Sequence, residues 1–209
     1  IERAATTDDY SLSASYNSYV PQFLRDLVIF KNSRINADTS LDWRTLFSGR
    51  ALRNIEILTA YIRLLPPEIK TAFELTLTAS IGQMSRMVFA ITSRGKMTGT
   101  STGKVEVGSW VIGFWRPKQH FEINVWNCFE ARASKLLKAL PEHPEPIKQG
   151  QLISDVLQHR AAVYLNRAGA ASFLEELQDD SLQLVITDPP HGDRIPYLEL
   201  SEIWNAVLG

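Results

Sequence analysis

Four consecutive residues, Asp188-Pro189-Pro190-His191, combine a carboxylate, two stiff backbone units and a flat imidazole at the end of an apolar run. The run, residues 182–187 (LQLVIT), is short, apolar and partly β-branched, which predicts a buried strand. The two prolines cannot donate to a sheet ladder and hold φ near one value, so the backbone must leave the sheet stiff and extended. Gly192 then permits a turn that other residues resist. The carboxylate of Asp188 is therefore expected at the carboxyl edge of a strand, where open α/β sheets take their ligands.

Such a corner needs a scaffold, and the flanking sequence offers one. Residues 161–165 are strand-like, 170–177 suit a helix, and 182–187 form the strand before the corner. This alternation predicts a parallel sheet flanked by helices. Pro196 opens a last helix with Leu200, Ile203, Trp204 and Val207 facing inward. Upstream, residues 141–150 (PEHPEPIKQG) hold three prolines and read as a linker.

The part before that linker reads as mostly helical. Residues 4–19 are rich in Ser, Thr and Tyr without periodicity and predict an extended lead-in. Residues 20–30 carry Phe23, Leu24, Leu27, Val28 and Ile29 at helical spacing. Ser48 can cap a helix over 49–65 with Leu52, Ile55 and Ile62 on one face, and Pro66-Pro67 separates it from a second helix over 67–91. Residues 105–115 read as a strand or two. A further helix over 121–140 carries Ile123, Trp126, Phe129, Ala133, Leu136, Leu137 and Leu140 on its apolar face. The resulting division is a lead-in over 1–40, a helical region over 41–149 and an α/β region over 150–209.

Asp188-Pro189-Pro190-His191 resembles the (Asp/Asn/Ser)-Pro-Pro-(Tyr/Phe/Trp) motif of S-adenosylmethionine-dependent amino-methyltransferases, most of which methylate adenine or cytosine in DNA. The stretch AVYLNRAGAASFLEELQDDSLQLVITDPP resembles the strand, helix and Asp-Ser turn that lead into that family's catalytic strand. HGDRIPYLELSEIWNAVLG looks like the Tyr-x-Glu-Leu-Ser helix of a subset with a helical insertion before the motif, and LFSGRALRNIEIL, SIGQMSRMVFA and GFWRPKQHFEINVWNCFEAR are similar to such insertions.

The resemblance implies an α/β fold: part of a Rossmann-like methyltransferase sheet preceded by a mostly helical insertion. It implies methyl transfer from S-adenosylmethionine to an exocyclic base amine, adenine ahead of cytosine because Asp leads the motif. Asp188 would accept one amine N–H, the carbonyl of Pro189 the other, with Pro190 bracing the corner and His191 stacking on a flipped base. Cofactor contacts are implied at Asn166 and Gly169. Two departures stand out. The family's Gly-Asp-Ala falls on Ala168, Gly169 and Ala170, so its acidic contact is missing. The Asp-x-Phe-x-Gly-x-Gly cofactor loop occurs nowhere in the 209 residues, and the chain is expected to be a fragment, inactive alone, with weak or no cofactor binding. The alternatives are an RNA or protein amide methyltransferase, or a non-catalytic nucleic-acid-binding module.

Composition excludes little else. Net charge is −1, which gives no global attraction to nucleic acid. Locally, however, residues 86–138 hold nine Lys or Arg against three Glu. Arg94, Lys96, Lys104, Arg116 and Lys118 fall on predicted loops beside a Gly-rich stretch and Trp110, Phe114, Trp115 and Phe121, which suits contact with DNA phosphates. Residues 93–103 lack the spacing of a nucleotide triphosphate loop. The four His are scattered without metal-ligand spacing, and no metal site is expected. The single Cys128 excludes an internal disulfide and suits a reducing, cytoplasmic setting. No apolar run reaches the about 20 residues needed to span a bilayer.

His191 stands where the family has a non-titrating ring, so its charge should matter. Base stacking weakens as the imidazole gains a proton, so methyl transfer is expected to fall from about pH 8 to about pH 5.5 at saturating cofactor. A flat profile over that range removes His191 from the stack.

Overall fold

The computed structural model describes residues 4–91, 106–108, 113–140, 146–189 and 195–209. They fall into two compact units, one of Ile1–Ala139 with Asp193–Gly209 and one of Leu140–Gly192.

The first unit is helical. Helix α1 (Thr7–Ser15) is closed at its start by a capping box, in which Thr6 and Asp9 satisfy each other's backbone N–H groups. Helix α2 (Trp43–Leu46) is capped the same way by Asp42 and Thr45. Helix α3 (Gly49–Arg63) starts at Ser48, whose Oγ accepts from Ala51 N at 3.1 Å. Helix α4 (Pro67–Ile81) has proline in its first turn, where a missing N–H costs nothing, and tightens into a 3₁₀ turn at Gly82–Met84. Strands β1 (Ala90–Ile91) and β2 (Glu106–Val107) pair antiparallel. Helices α5 (Val125–Ala139) and α8 (Tyr197–Leu208) complete the unit.

The core is continuous through these helices: Leu52, Ile55 and Ile62 of α3, Leu77 and Ile81 of α4, Val125 and Phe129 of α5, and Ile203, Ala206 and Val207 of α8. Each large aliphatic side chain buried there contributes about 2 kcal/mol. Phe73 and Phe129 stack with ring centres 6.0 Å apart, joining α4 to α5.

A segment with no regular structure is held across this core by two buried carboxylates. Glu56 of α3 accepts from Gln22 N at 2.6 Å, Phe23 N at 2.5 Å, Leu24 N at 3.2 Å and the Tyr19 hydroxyl at 2.5 Å. Glu202 of α8 accepts from Val28 N at 2.8 Å and pairs with Arg25 at 3.0 Å. The main chain at Arg25 also donates to Ala206 O at 3.3 Å and accepts from the indole of Trp43 at 2.8 Å. Where the chain leaves α1, Tyr16 O lies so close to Gly49 that a Cβ there would come within 1.7 Å of it.

The second unit contains α6 (Ile153–Leu157), α7 (Ala170–Leu174) and a single parallel bridge between Gln149 and Val163. Asp155 organises its start, accepting from Gln151 N and Leu152 N and from the Arg160 guanidinium at 2.7 Å. No hydrophobic side chain among its described residues is buried.

Several expectations are corrected. The Rossmann-like α/β sheet is absent: among the described residues the only strands are the two-residue pair β1 and β2. Residues 161–165 make one bridge, and 182–187 run unpaired with Ile186 86% exposed. An apolar run signals a strand through its side chains, but a strand forms only where neighbours complete its ladder, and none is described here. The opening stretch is helical over Thr7–Ser15 because its capping box outweighs the lack of an apolar face. Residues 20–30 are not helical, because their N–H groups are claimed by the two carboxylates. The helix expected over 67–91 stops at Ile81. In α5 only Val125, Cys128 and Phe129 are buried, while Trp126 and Leu137 are exposed, and Leu140, expected on the same face, lies beyond the helix and is exposed too.

Replacing Glu56 by Ala leaves three backbone N–H groups without acceptors and should lower unfolding free energy by about 3 kcal/mol, whereas Glu56→Gln keeps a carbonyl acceptor and should cost about 1 kcal/mol. Urea unfolding followed by tryptophan fluorescence measures both, and an unchanged midpoint in the Ala variant contradicts the role given to Glu56.

Candidate functional site

The Asp188 corner is reached from α7 through a turn in which Ser181 N donates to Gln178 O at 3.2 Å and Asp180 takes φ of 61°. That value lies in the left-handed region, which Asp tolerates better than most residues. The chain then runs without regular structure from Leu182 to Pro189, bending at Gln183, with every residue exposed. Asp188 is exposed and accepts no hydrogen bond from the described residues. Pro190 and His191, predicted to complete the corner, lie outside the described residues.

The two implied cofactor contacts are differently disposed. Asn166 turns its Oδ1 back onto Ala168 N at 2.9 Å, closing a local turn that occupies the acceptor. Gly169 precedes α7 with nothing within 4 Å of where a Cβ would stand. Both residues are exposed. A side chain committed to its own loop and a glycine facing open space make no wall for an adenosine or a sulfonium, so these two residues do not fit S-adenosylmethionine.

Of the five basic residues expected to touch DNA, Arg94, Lys96 and Lys104 lie outside the described residues. Arg116 is 3.9 Å from the Asp38 carboxylate, a loose exposed pair, and Lys118 is exposed two residues on. These two therefore share one exposed segment before α5 and keep their charge available at little cost.

Comparison with known protein families, with curated proteins and with solved structures finds no match to this chain.

The first unit carries a second polar constellation that sequence reasoning missed. Arg50 grips Glu122 with both ends of its fork, Nε to Oε1 at 3.0 Å and Nη2 to Oε2 at 2.9 Å. Ser48 donates to the same Oε1 at 2.6 Å while its oxygen caps α3. One hydroxyl thus ties a helix start to the segment leading into α5. Burial alone would raise the Glu122 carboxyl, but the hydrogen bonds from Arg50 and Ser48 and the positive charge of Arg50 and Arg86 together bring it below the usual range. The phenol of Tyr19 is pushed up to about 12, first by burial and then by its bond to Glu56. Cys128 is raised by burial, which keeps it a thiol rather than a nucleophile. A signal for Glu56 did exist: it lies beside Ile55 and three residues before Thr59, on the buried stripe of α3. A carboxylate in register with an apolar face has to find donors.

No group of three His, Cys, Asp or Glu gathers to hold a metal among the described residues, and no helix there is long and apolar enough to cross a membrane.

Because the folded Glu122 carboxyl lies below its ordinary 4.5, its contribution is present above that value and is lost as pH falls through the folded value. Glu122→Gln should therefore lower stability at pH 7 by about 1 kcal/mol, a figure reduced for solvent screening, and flatten the acid limb. Urea midpoints at pH 7 and at about pH 3 test this, and parallel curves for the two proteins would contradict it.

Proposed function

We propose that this chain carries the amine-presenting corner of an enzyme that transfers a methyl group to an exocyclic base amine of DNA, adenine ahead of cytosine. The observation that supports it most directly is the exposure of Asp188 and Pro189, with no hydrogen bond to the Asp188 carboxylate from the described residues. An exocyclic amine is a poor nucleophile because its lone pair is delocalised into the ring. Asp188 accepts one of its N–H groups and the Pro189 carbonyl accepts the other, which draws nitrogen density out of the ring plane. Proline fixes that carbonyl in advance, so little reorganisation is needed when charge develops. No strong base is required, since the amine proton can leave after the new C–N bond has formed.

S-adenosylmethionine is the methyl donor this reading calls for, and no contact to it is assigned to Asn166 or Gly169. DNA is the partner, approached through Arg116 and Lys118 with Arg94, Lys96 and Lys104. The setting is cytoplasmic restriction and modification. A second reading is favoured by the helical first unit and by the misfit of Asn166 and Gly169: a non-catalytic nucleic-acid-binding module in which Asp-Pro-Pro only shapes a turn.

Methyl incorporation from labelled S-adenosylmethionine into unmethylated DNA separates the two readings, using the protein and its Asp188→Ala variant. Loss of one lone acceptor should lower the rate by about 10²- to 10³-fold with duplex affinity unchanged. Equal incorporation by both proteins sinks the role of Asp188. Duplex binding without incorporation by either protein leaves the binding-module reading in place.

A further inference from the structure

In the first unit a cleft of about 410 Å³ opens between the chain leaving α1, helix α2 and the start of α3, with Asn17, Tyr19, Arg44, Thr45, Gly49 and Arg86 on its walls. Two of these are arginines brought together from positions 42 residues apart in the sequence. Arg44 is exposed on α2, and Arg86 is half-buried, its backbone N–H bonded to Leu46 O at 2.8 Å so that the side chain starts from a fixed point. Asp42 also lines the cleft, but its carboxylate is already bound by Thr45 N at 2.6 Å as the cap of α2. The nearby Glu122 is held by Arg50 and Ser48. Among the described residues neither Arg44 nor Arg86 forms a salt bridge.

Arg44 and Arg86 both line this cleft, so an anion lodged in it would be shared by two guanidiniums, of which Arg86 also feels the charge of Glu122. Guanidinium forks match tetrahedral oxyanions and are less strongly hydrated than ammonium groups. The volume suits a ligand of nucleotide size rather than a bare halide. Asn17 and Thr45 add neutral hydrogen-bonding groups to the rim.

We propose that this cleft is a phosphate-binding site, with Arg44 and Arg86 clamping one phosphate group of a polynucleotide backbone or of a free nucleotide. The inference goes beyond the methyl-transfer reading and involves none of its residues. It places a phosphate contact on the packed helical unit, apart from the basic loop residues that sequence alone points to.

Fluorescence anisotropy of a labelled DNA duplex, titrated with the full chain over a range of salt, tests the site. Arg44→Gln with Arg86→Gln should weaken binding by about tenfold and reduce the slope of log affinity against log salt by about one. Arg44→Lys with Arg86→Lys, which keeps charge without the fork, should recover the slope and only part of the affinity. Inorganic phosphate and adenosine monophosphate are the competitors that identify the source. Displacement at low millimolar concentration assigns a free nucleotide, and persistence of the complex assigns the polymer backbone. Unchanged affinity and slope in the Gln pair overturn the proposal, as does a Lys pair that recovers no slope. The test reads duplex affinity and its salt slope and not methyl incorporation, so failure of the methyl-transfer reading leaves it standing. A matching urea midpoint shows that the Gln pair is folded.

Discussion

A single carboxylate, Glu56, decides where the irregular front of the first unit can lie. It sits on the buried stripe of α3 and is matched by three consecutive backbone N–H groups and one phenol. Burying an ionised carboxyl is tolerable only with such compensation, and the compensation can come only from a chain bent around it. Residues 22–24 are therefore bent toward α3 instead of wound into a helix of their own. The consequences spread outward. The adjoining Arg25 and Val28 reach Glu202 on α8, and Trp43 is anchored to Arg25 O. The chain between Tyr16 and Tyr19 closes one wall of the arginine cleft, with Gly49 the only residue type that leaves room for Tyr16 O.

Much of the helical unit was legible from residue spacing. Ser48 marked the start of α3, Pro66-Pro67 the break before α4, and Leu200, Ile203 and Val207 the inner face of α8, all of which the structure bears out. These signals are local, acting within one or two turns of a helix. What failed was decided at a distance. The apolar spacing in 20–30 is helical on its own terms, but competition for its N–H groups comes from residues more than thirty positions away. The ladder expected for 182–187 depends on neighbouring strands, which a hydrophobic pattern cannot supply.

The Asp-Pro-Pro corner rests on local signals of the same kind as the caps, and of it the described residues hold only Asp188 and Pro189, both exposed. Proline stiffness and an acidic side chain belong to the residues themselves and need no partner to exist. Its surroundings are another matter, since a cofactor pocket is a property of several segments at once, and Asn166 and Gly169 do not make one. The arginine cleft shows the converse. Nothing in the local spacing of Arg44 or Arg86 points to a shared site, and the hydrogen bond from Arg86 N to Leu46 O ties the second to the end of the helix that carries the first.

The grip of Glu202 on Arg25 and Val28 bridges sequence separations of 177 and 174 residues. During synthesis the front of the unit emerges from the ribosome long before α8 exists to receive it. Loop closure over that length is entropically expensive and slow to reward, so these contacts belong to the late stages of folding rather than to its nucleus. Until then Leu24 and Ile29, both buried in the finished unit, face water beside other nascent chains. Assembly of this unit is therefore timed by the arrival of its last helix.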